Sequence, residues 1–415
     1  MARLSQLDMG GYLRRHKPDY GIVLLSGMLL LFGLVVMFAV SPALSQRLSE
    51  EGLSDNHFFY RQGIFILAGA VAFWISAILP LKWWRTIQPL LIAAGLASSL
   101  LLLIPGVGTE FNGAVRWIDL GFFTFQPAEL LKLALILYMA SFLAEKIRLN
   151  KLNDRNETLL PLLIILAILS VVVLILQRDL GTMVALTAII FTMLYTSGMK
   201  FSPLSKLISI VAAGAVAAVV LFPHRLSRLL TFVNPESDVE GTGYHINQAL
   251  IAIGSGGMWG KGLGRSVQVF GYLPEAANDS IFAIIAEKFG FVGSVLVIML
   301  YGALFWRLLK LIDRAPNDYF KLLVAGVFGW IVSHTIINIG AMLGLLPLTG
   351  ITLPLLSLGG TSMVLIMAAL GLVFNISRYS DLTAQSHKRG GSSRASTRHR
   401  GRNRRTRHTA SGYSF

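Results

Sequence analysis

Ten long apolar runs constrain this chain more than any other feature. They lie near residues 20–41, 61–79, 87–104, 127–145, 159–176, 181–197, 204–222, 280–306, 321–345 and 353–376. A bilayer core of about 30 Å needs roughly 20 mostly apolar residues per helix. The runs are continuous and lack the alternating segments of about ten residues that mark a membrane β-barrel. The expectation is an all-α, polytopic integral membrane protein with about ten transmembrane helices. Composition agrees: 54% of the 415 residues are hydrophobic and 14% charged, where soluble domains carry about 25% charge. Met1–Tyr20 is polar and the first run shows no small-residue cleavage site, so that run reads as a retained span. Residues 1–19 are expected to form a cytoplasmic N-terminal segment, 20–378 the membrane domain, and 379–415 a disordered basic tail.

The net charge of +15 becomes less informative once it is located. Nine basic residues stand between Lys388 and Arg407 with no acid among them. A solvated arm attracted to anionic headgroups accounts for them, and nothing in the charge calls for a nucleic-acid partner. The chain has no cysteine, which excludes disulfides, thiolate nucleophiles and Cys-ligated metals.

Lysine and arginine placement sets orientation. One set of connections holds Arg14, Arg15 and Lys17, then Lys82 and Arg85, then Lys146, Arg148, Lys151 and Arg155, then Lys200 and Lys206, then Arg307, Lys310 and Arg314. The other set is poorer, so both termini are expected in the cytoplasm, consistent with an even span count. Two non-cytoplasmic loops are long, Pro105–Gln126 and about Pro223–Asp279, and loops of that length are more often functional than passive. No internal repeat is visible.

Several motifs have bland readings. The glycine cluster from Gly254 to Gly264 matches neither G-x-x-x-x-G-K-[ST] nor G-x-G-x-x-G. It reads as a tightly turned or re-entrant loop whose backbone approaches a ligand. His245 and His334 stand isolated, without metal-ligand spacing, and read as hydrogen-bonded structural residues. The sequons at Asn156 and Asn278 read as chance. Glu129 and Lys132 are more telling. At i and i+3 they share a helix face and can pair, and charge at membrane depth marks either a functional site or an ion pair locking two helices.

The non-cytoplasmic ends collect polar residues from distant parts of the chain: Arg61 and Gln62; Arg116, Trp117 and Asp119; Gln126; Gln177, Arg178 and Asp179; Glu275 and Asp279. A cationic pocket with one or two carboxylates at headgroup level suits an anionic, lipid-linked substrate. Glycosyl transfer from a lipid diphosphate has a good leaving group. It needs one carboxylate to take the acceptor hydroxyl proton, and cations or a divalent metal to meet the departing charge.

These residues resemble the SEDS family (shape, elongation, division and sporulation). The resemblance is carried by Gly113-Ala-Val-Arg116-Trp117-Ile-Asp119-Leu-Gly121 with Gln126-Pro127-Ala-Glu129-Leu-Leu-Lys132. It extends through Gln177-Arg-Asp179-Leu-Gly181-Thr182, Ala252–Gly264, and Tyr272-Leu-Pro274-Glu275-Ala-Ala-Asn-Asp279-Ser-Ile-Phe282 running into Glu287 and Gly290. It ends on Asn338-Ile-Gly340, Leu346-Pro347-Leu-Thr-Gly350 and Leu353-Pro354-Leu-Leu-Ser357-Leu-Gly359-Gly360-Thr-Ser362.

The resemblance implies ten spans and a peptidoglycan glycosyltransferase that polymerises lipid II at the outer leaflet with a class B penicillin-binding transpeptidase. It implies Asp279 as the catalytic acid–base residue and functional cations at Arg61, Arg116 and Lys132. Glu129, Gln126, Asp179, Gln248, Glu275 and Ser357 complete the expected substrate-binding set. A divalent cation, Mg or Mn, is the one cofactor expected, with no organic cofactor. The Gly254–Gly257 stretch and the Gly-Leu before Leu346 resemble the division branch more than the elongation branch. Departures are Ala277-Asn278 where the family often has His-Thr, Arg178 for Pro, Lys288 for Glu and Leu358 for Tyr; Arg178 and Lys288 are expected to add positive charge near the diphosphate site. A lipid II flippase and a division scaffold with conditional activity are the competing functions.

Overall fold

The computed structural model describes residues 13–15, 17–47, 54–111, 114–121, 123–220, 230–234 and 241–381. Each of the ten apolar runs contains a helix: α1 Tyr20–Arg47, α2 His57–Ile78, α3 Leu81–Leu101, α4 Pro127–Arg148, α5 Arg155–Leu176, α6 Leu180–Thr196 and α7 Phe201–Val220. The series continues with α9 Ile281–Arg314, α10 Asp318–Met342 and α11 Gly360–Ile376. Five of them, α1, α2, α5, α9 and α10, are long and apolar enough to cross a bilayer by length and composition alone. Among the described residues, α10 is enclosed along most of its length, whereas α2 and α5 turn most of their apolar surface outward, as expected where the surrounding solvent is lipid.

Chain direction alternates through these helices, which gives the bundle two distinct ends. The starts of α2, α4, α6, α9 and α11 share one end with the finishes of α1, α3 and α10. The tight connections at 79–80, 149–154, 197–200 and 315–317 lie at the other. That second end also holds the chain's visible extremities. β1 (Leu13–Arg15) pairs antiparallel with β5 (Tyr379–Asp381), Arg14 opposite Ser380, and the Asp19 amide donates to Ser377 Oγ at 2.9 Å. Tyr379–Asp381 thus departs from the expected disordered tail, because its backbone finds a partner strand. The rest of the tail, including the basic cluster, lies outside the described residues.

The first long loop is structured as a three-stranded antiparallel sheet of β2 (Gly108–Phe111), β3 (Ala114–Asp119) and β4 (Thr124–Phe125), with Ile118 opposite Phe125. The second contains a helix, α8 (Thr242–Ser255), that buries Gly243, Ile246, Ala249 and Ala252. Residues 353–359, expected inside the last span, form a turn instead. Pro354 ends any helix there, Leu355 has φ +66, and Ser357 Oγ accepts the Leu353 amide at 2.9 Å.

The glycine cluster is a tight loop, but its close contacts are with the chain itself. The amides of Phe291 and Val292 donate to Gly257 and Met258 carbonyls, and those of Lys261 and Gly262 to Glu287 and Lys288. Gly290, at φ +67, breaks α9 at this crossing, and a β-carbon on Gly260 or Gly290 would collide with the opposing backbone. These glycines serve chain-to-chain approach, which corrects the ligand-contact reading. Lys288 is likewise used internally: its ammonium donates to Leu263 O at 2.8 Å and Ala39 O at 3.3 Å. Its charge is spent holding the loop, contrary to the expectation that it would serve a diphosphate.

Candidate active site

Asp279 sits one residue before the end of a turn that leads into α9, at the bundle end opposite the paired strands β1 and β5. The turn, Pro274–Ser280, is held by its own residues. Glu275 adopts φ +50, and its carbonyl accepts the amides of Asn278 at 3.0 Å and Ser280 at 3.2 Å. Its carboxylate accepts Asn278 Nδ2 at 2.6 Å. One oxygen of the Glu275 carboxylate thus helps to shape the turn that carries Asp279. Ser280 caps α9, and its hydroxyl donates to Pro274 O at 2.7 Å.

Two neighbours fasten the turn from outside. Asn338 on α10 donates to the Asp279 carbonyl and to the Ile351 carbonyl, both at 2.7 Å. This joins the Asp279 turn to the loop after α10. His245 on α8 meets Ser280 Oγ at 2.6 Å. Burial lowers the His245 pKa to about 4, so the imidazole is neutral at physiological pH. Gln248, one turn along from His245, shares its face of α8 and is half-buried.

Arg116 projects from β3 on the other side of this loop. Its Nη2 donates to the Arg178 carbonyl at 2.9 Å, and Nε lies 3.9 Å from Asp179 Oδ2. Asp179 is itself committed to α6, accepting from Thr182 N at 3.0 Å and Thr182 Oγ1 at 2.9 Å. A carboxylate at a helix N-terminus is in a favourable place, so Asp179 acts as a fixed post that orients the guanidinium. Arg178 contributes its carbonyl from φ +51, a backbone conformation closed to the proline that the family resemblance places there.

Gly350 brings the two halves together. With φ +71, it lies where a β-carbon would stand 3.9 Å from Asp279 Oδ2 and 4.0 Å from Arg116 Nη1. A carboxylate and a guanidinium, far apart in sequence, therefore flank one bare stretch of backbone. A side chain there would crowd both groups.

The other expected residues fall into two groups. Glu129 and Lys132 pair on α4 at 2.7 Å. The Lys132 ammonium also lies 2.9 Å from His334 Nε2 and 5.6 Å from the Trp330 ring centre. Both charged residues are buried, at 4% and 1% exposure. His334 is therefore not isolated: it stands one turn before Asn338 on the same face of α10, about 6 Å along the axis. The buried pair and the Asp279 turn thus hang from one helix face. Gln126 caps α4 and its amide donates to Thr361 Oγ1 at 3.4 Å. Ser357 is buried, and its hydroxyl accepts the Leu353 amide of its own turn. Arg61 lies one turn into α2 with its guanidinium 5.9 Å from the Phe65 ring centre, and that ring packs on Gly360 at the head of α11.

Sequence reasoning passed over Asn338 as a hydrogen-bond hub and His245 as a neighbour of the Asp279 turn. For His245 a signal existed: Ile246, Ala249, Leu250 and Ile253 recur at i, i+3, i+4 and i+7, the period of an amphipathic helix, and place it on a helix that must pack.

Among the described residues, no three His, Asp or Glu side chains gather as a metal cage. One carboxylate beside a guanidinium does not make a divalent-metal site of its own; an Mg or Mn ion would need its ligands from a substrate's phosphates.

The model of the cell cycle protein family of FtsW, RodA and SpoVE matches residues 21–382. The chain belongs to the FtsW/RodA/SpoVE family. It is 36% identical over 368 residues to stage V sporulation protein E of Bacillus subtilis, covering 88% of this chain and 99% of that one. A probable peptidoglycan glycosyltransferase FtsW of Nitrosomonas europaea is 37% identical over 366 residues, 87% of this chain and 93% of its own. Among solved structures, a chain of a peptidoglycan synthase complex that coordinates polymerization and crosslinking superposes with TM-score 0.69 at 28% identity, covering 87% of this chain and 98% of that one. The rod shape determining protein RodA of Thermus thermophilus superposes with TM-score 0.61 at 28% identity, covering 88% and 98%. The family membership and these superpositions establish a multi-pass, all-α membrane fold.

Proposed function

We propose that this chain is a peptidoglycan glycosyltransferase that polymerises lipid II at the outer leaflet of the bacterial inner membrane, in septal synthesis during division. The observation that carries the reading is the meeting of Asp279 and Arg116 across Gly350, at the bundle end away from the paired termini. The relatives named as peptidoglycan glycosyltransferases support the chemistry. The basic residues at Lys82, Arg85, Lys146, Arg148, Lys200 and Arg307 crowd the terminal end, which supports cytoplasmic termini and ten spans.

In this mechanism Asp279 accepts the proton of the acceptor sugar hydroxyl as its oxygen attacks the donor anomeric carbon. The carbon–oxygen bond to the diphosphate breaks, with inversion. Arg116, pre-oriented by Asp179 and the Arg178 carbonyl, meets the charge that develops on the leaving group. Arg61, at the same end of the bundle, adds a second cation. Lys132, spent on Glu129 and His334, braces α4 against α10. A class B penicillin-binding transpeptidase is the partner, in keeping with the synthase complex whose chain superposes on this one.

A vesicle experiment separates transfer from translocation. The chain is reconstituted with its transpeptidase partner and lipid II, and both glycan strands and lipid II crossing are followed. Strand formation is the expected result. Lipid II crossing without strands would make the protein a flippase.

A further inference from the structure

A chain of hydrogen bonds reaches the Asp279 turn from a helix that no part of the proposed mechanism uses. Ser280 follows Asp279 directly and opens α9. Its hydroxyl has one proton, and that proton is committed to the Pro274 carbonyl at 2.7 Å, an oxygen that can only accept. The contact between His245 Nε2 and Ser280 Oγ at 2.6 Å must therefore run from the imidazole: Nε2 carries a hydrogen and donates it. The direction is set by the partners, because a hydroxyl that has given its proton away has only lone pairs left to offer.

The placement matters because of what else holds the turn. Glu275 and Asn278 close it from within. Asn338 holds the Asp279 carbonyl from α10. His245 holds the following residue from α8, across the turn from Asn338 in sequence. The backbone of Asp279 is thus pinned at its own carbonyl from one helix and, one residue later, at a side chain from another. A carboxylate that must accept a proton in flight works only within a few tenths of an ångström of its productive place, and a shift of about 1 Å can cost about 100-fold in rate.

We propose that His245 is a positioning residue for the reaction: as the neutral Nε2–H tautomer, it locks Ser280 and through it the angle at which the Asp279 carboxylate faces the acceptor hydroxyl. The proposal rests on the reading of Asp279 as the base. His245 itself exchanges no proton with substrate. The role asks for a donor at the Nε2 position and no charge, so glutamine, whose Nε2 reaches a comparable distance, can fill it, and leucine cannot.

The test uses the full chain in complex with its transpeptidase partner, measuring initial rates of strand formation against lipid II concentration. His245→Leu is expected to lower kcat at least about tenfold while KM stays within about twofold, because the cations that bind the diphosphate are untouched. His245→Gln is expected to restore kcat to within about threefold of wild type. Ser280→Ala removes the acceptor and should match His245→Leu, and the double variant should fall no further than either single one, the signature of two residues acting through one bond. The proposal is overturned if Ser280→Ala keeps wild-type kcat, or if glutamine and leucine at position 245 are equally impaired. The Ser280→Ala comparison decides the matter even where His245→Leu fails to fold. Asp279→Asn is run alongside. Full turnover in that variant removes the base assignment itself; a dead Asp279→Asn with an unimpaired Ser280→Ala removes only the positioning role.

Discussion

Replacing Lys132 by Met is expected to destabilise the membrane domain by about 3–5 kcal/mol, the cost of leaving one partner of a buried ion pair behind. The lysine is 1% exposed and Glu129 is 4%, so solvent cannot take over the ammonium's role at 2.7 Å from the carboxylate. His334 Nε2 loses its partner in the same step. A buried carboxylate left without its partner is costly in an apolar surround. Pairing the change with Glu129→Leu should recover most of the loss, since two apolar side chains of similar volume remove the charge along with its cost. The check is the thermal unfolding midpoint of the purified protein in detergent. A midpoint for Lys132→Met equal to that of wild type would mean that Lys132, through its contact with His334, does not hold α4 to α10.

Arg116→Ala is expected to act on rate and not on stability. Its ion pair with Asp179 is long, at 3.9 Å, and partly open, so its contribution to folding is about 1 kcal/mol or less. Its contribution to transfer should be far larger. A pre-oriented donor facing a developing charge is worth about 10²–10³ in rate. Arg116 is held for that task by the Arg178 carbonyl at 2.9 Å. Arg116→Lys keeps the charge but loses the planar fork, and should fall between wild type and alanine. Initial rates of strand formation with saturating lipid II measure this. An alanine variant within about threefold of wild type would place the leaving group elsewhere, with Arg61 as the next cation to examine.

How far these features were legible in the sequence depends on their range. Apolar runs announce helices because burial in lipid is a local property of composition, and each of the ten runs contains one. Their ends were less legible. Residues 353–359 are as apolar as a span, yet Pro354 and the positive φ of Leu355 turn them into a loop, whose Leu358 amide donates to the Ala277 carbonyl. The Glu129–Lys132 pair could be read from spacing alone, since i and i+3 are neighbours on any helix. The third member, His334, comes from a helix some 200 positions away, and no local pattern announces such a partner. The same holds for Asp279 and Arg116. Sequence groups them by membrane end and by family resemblance; Gly350, the backbone that approaches both, gives no sign beyond being a glycine in a loop. The glycine cluster misled for a related reason. Glycine marks close backbone approach, and the sequence does not say whether what approaches is a ligand or, as at Gly260 and Gly290, the chain itself. Glu275 and Ser357 have the right chemistry for substrate contact, and each also hydrogen-bonds within the turn it belongs to, a local role that spacing does not announce.

The central claim is that Asp279 is the base of a glycan polymerase. Its most direct test is strand formation from purified lipid II by the chain with its transpeptidase partner, wild type against Asp279→Asn. The substitution keeps size and the backbone bond from Asn338, so the variant should fold like wild type. Loss of a positioned base costs about 10²–10⁴ in rate, and long strands from wild type with none from the variant are the predicted result. Strands made at the wild-type rate by Asp279→Asn would contradict the account.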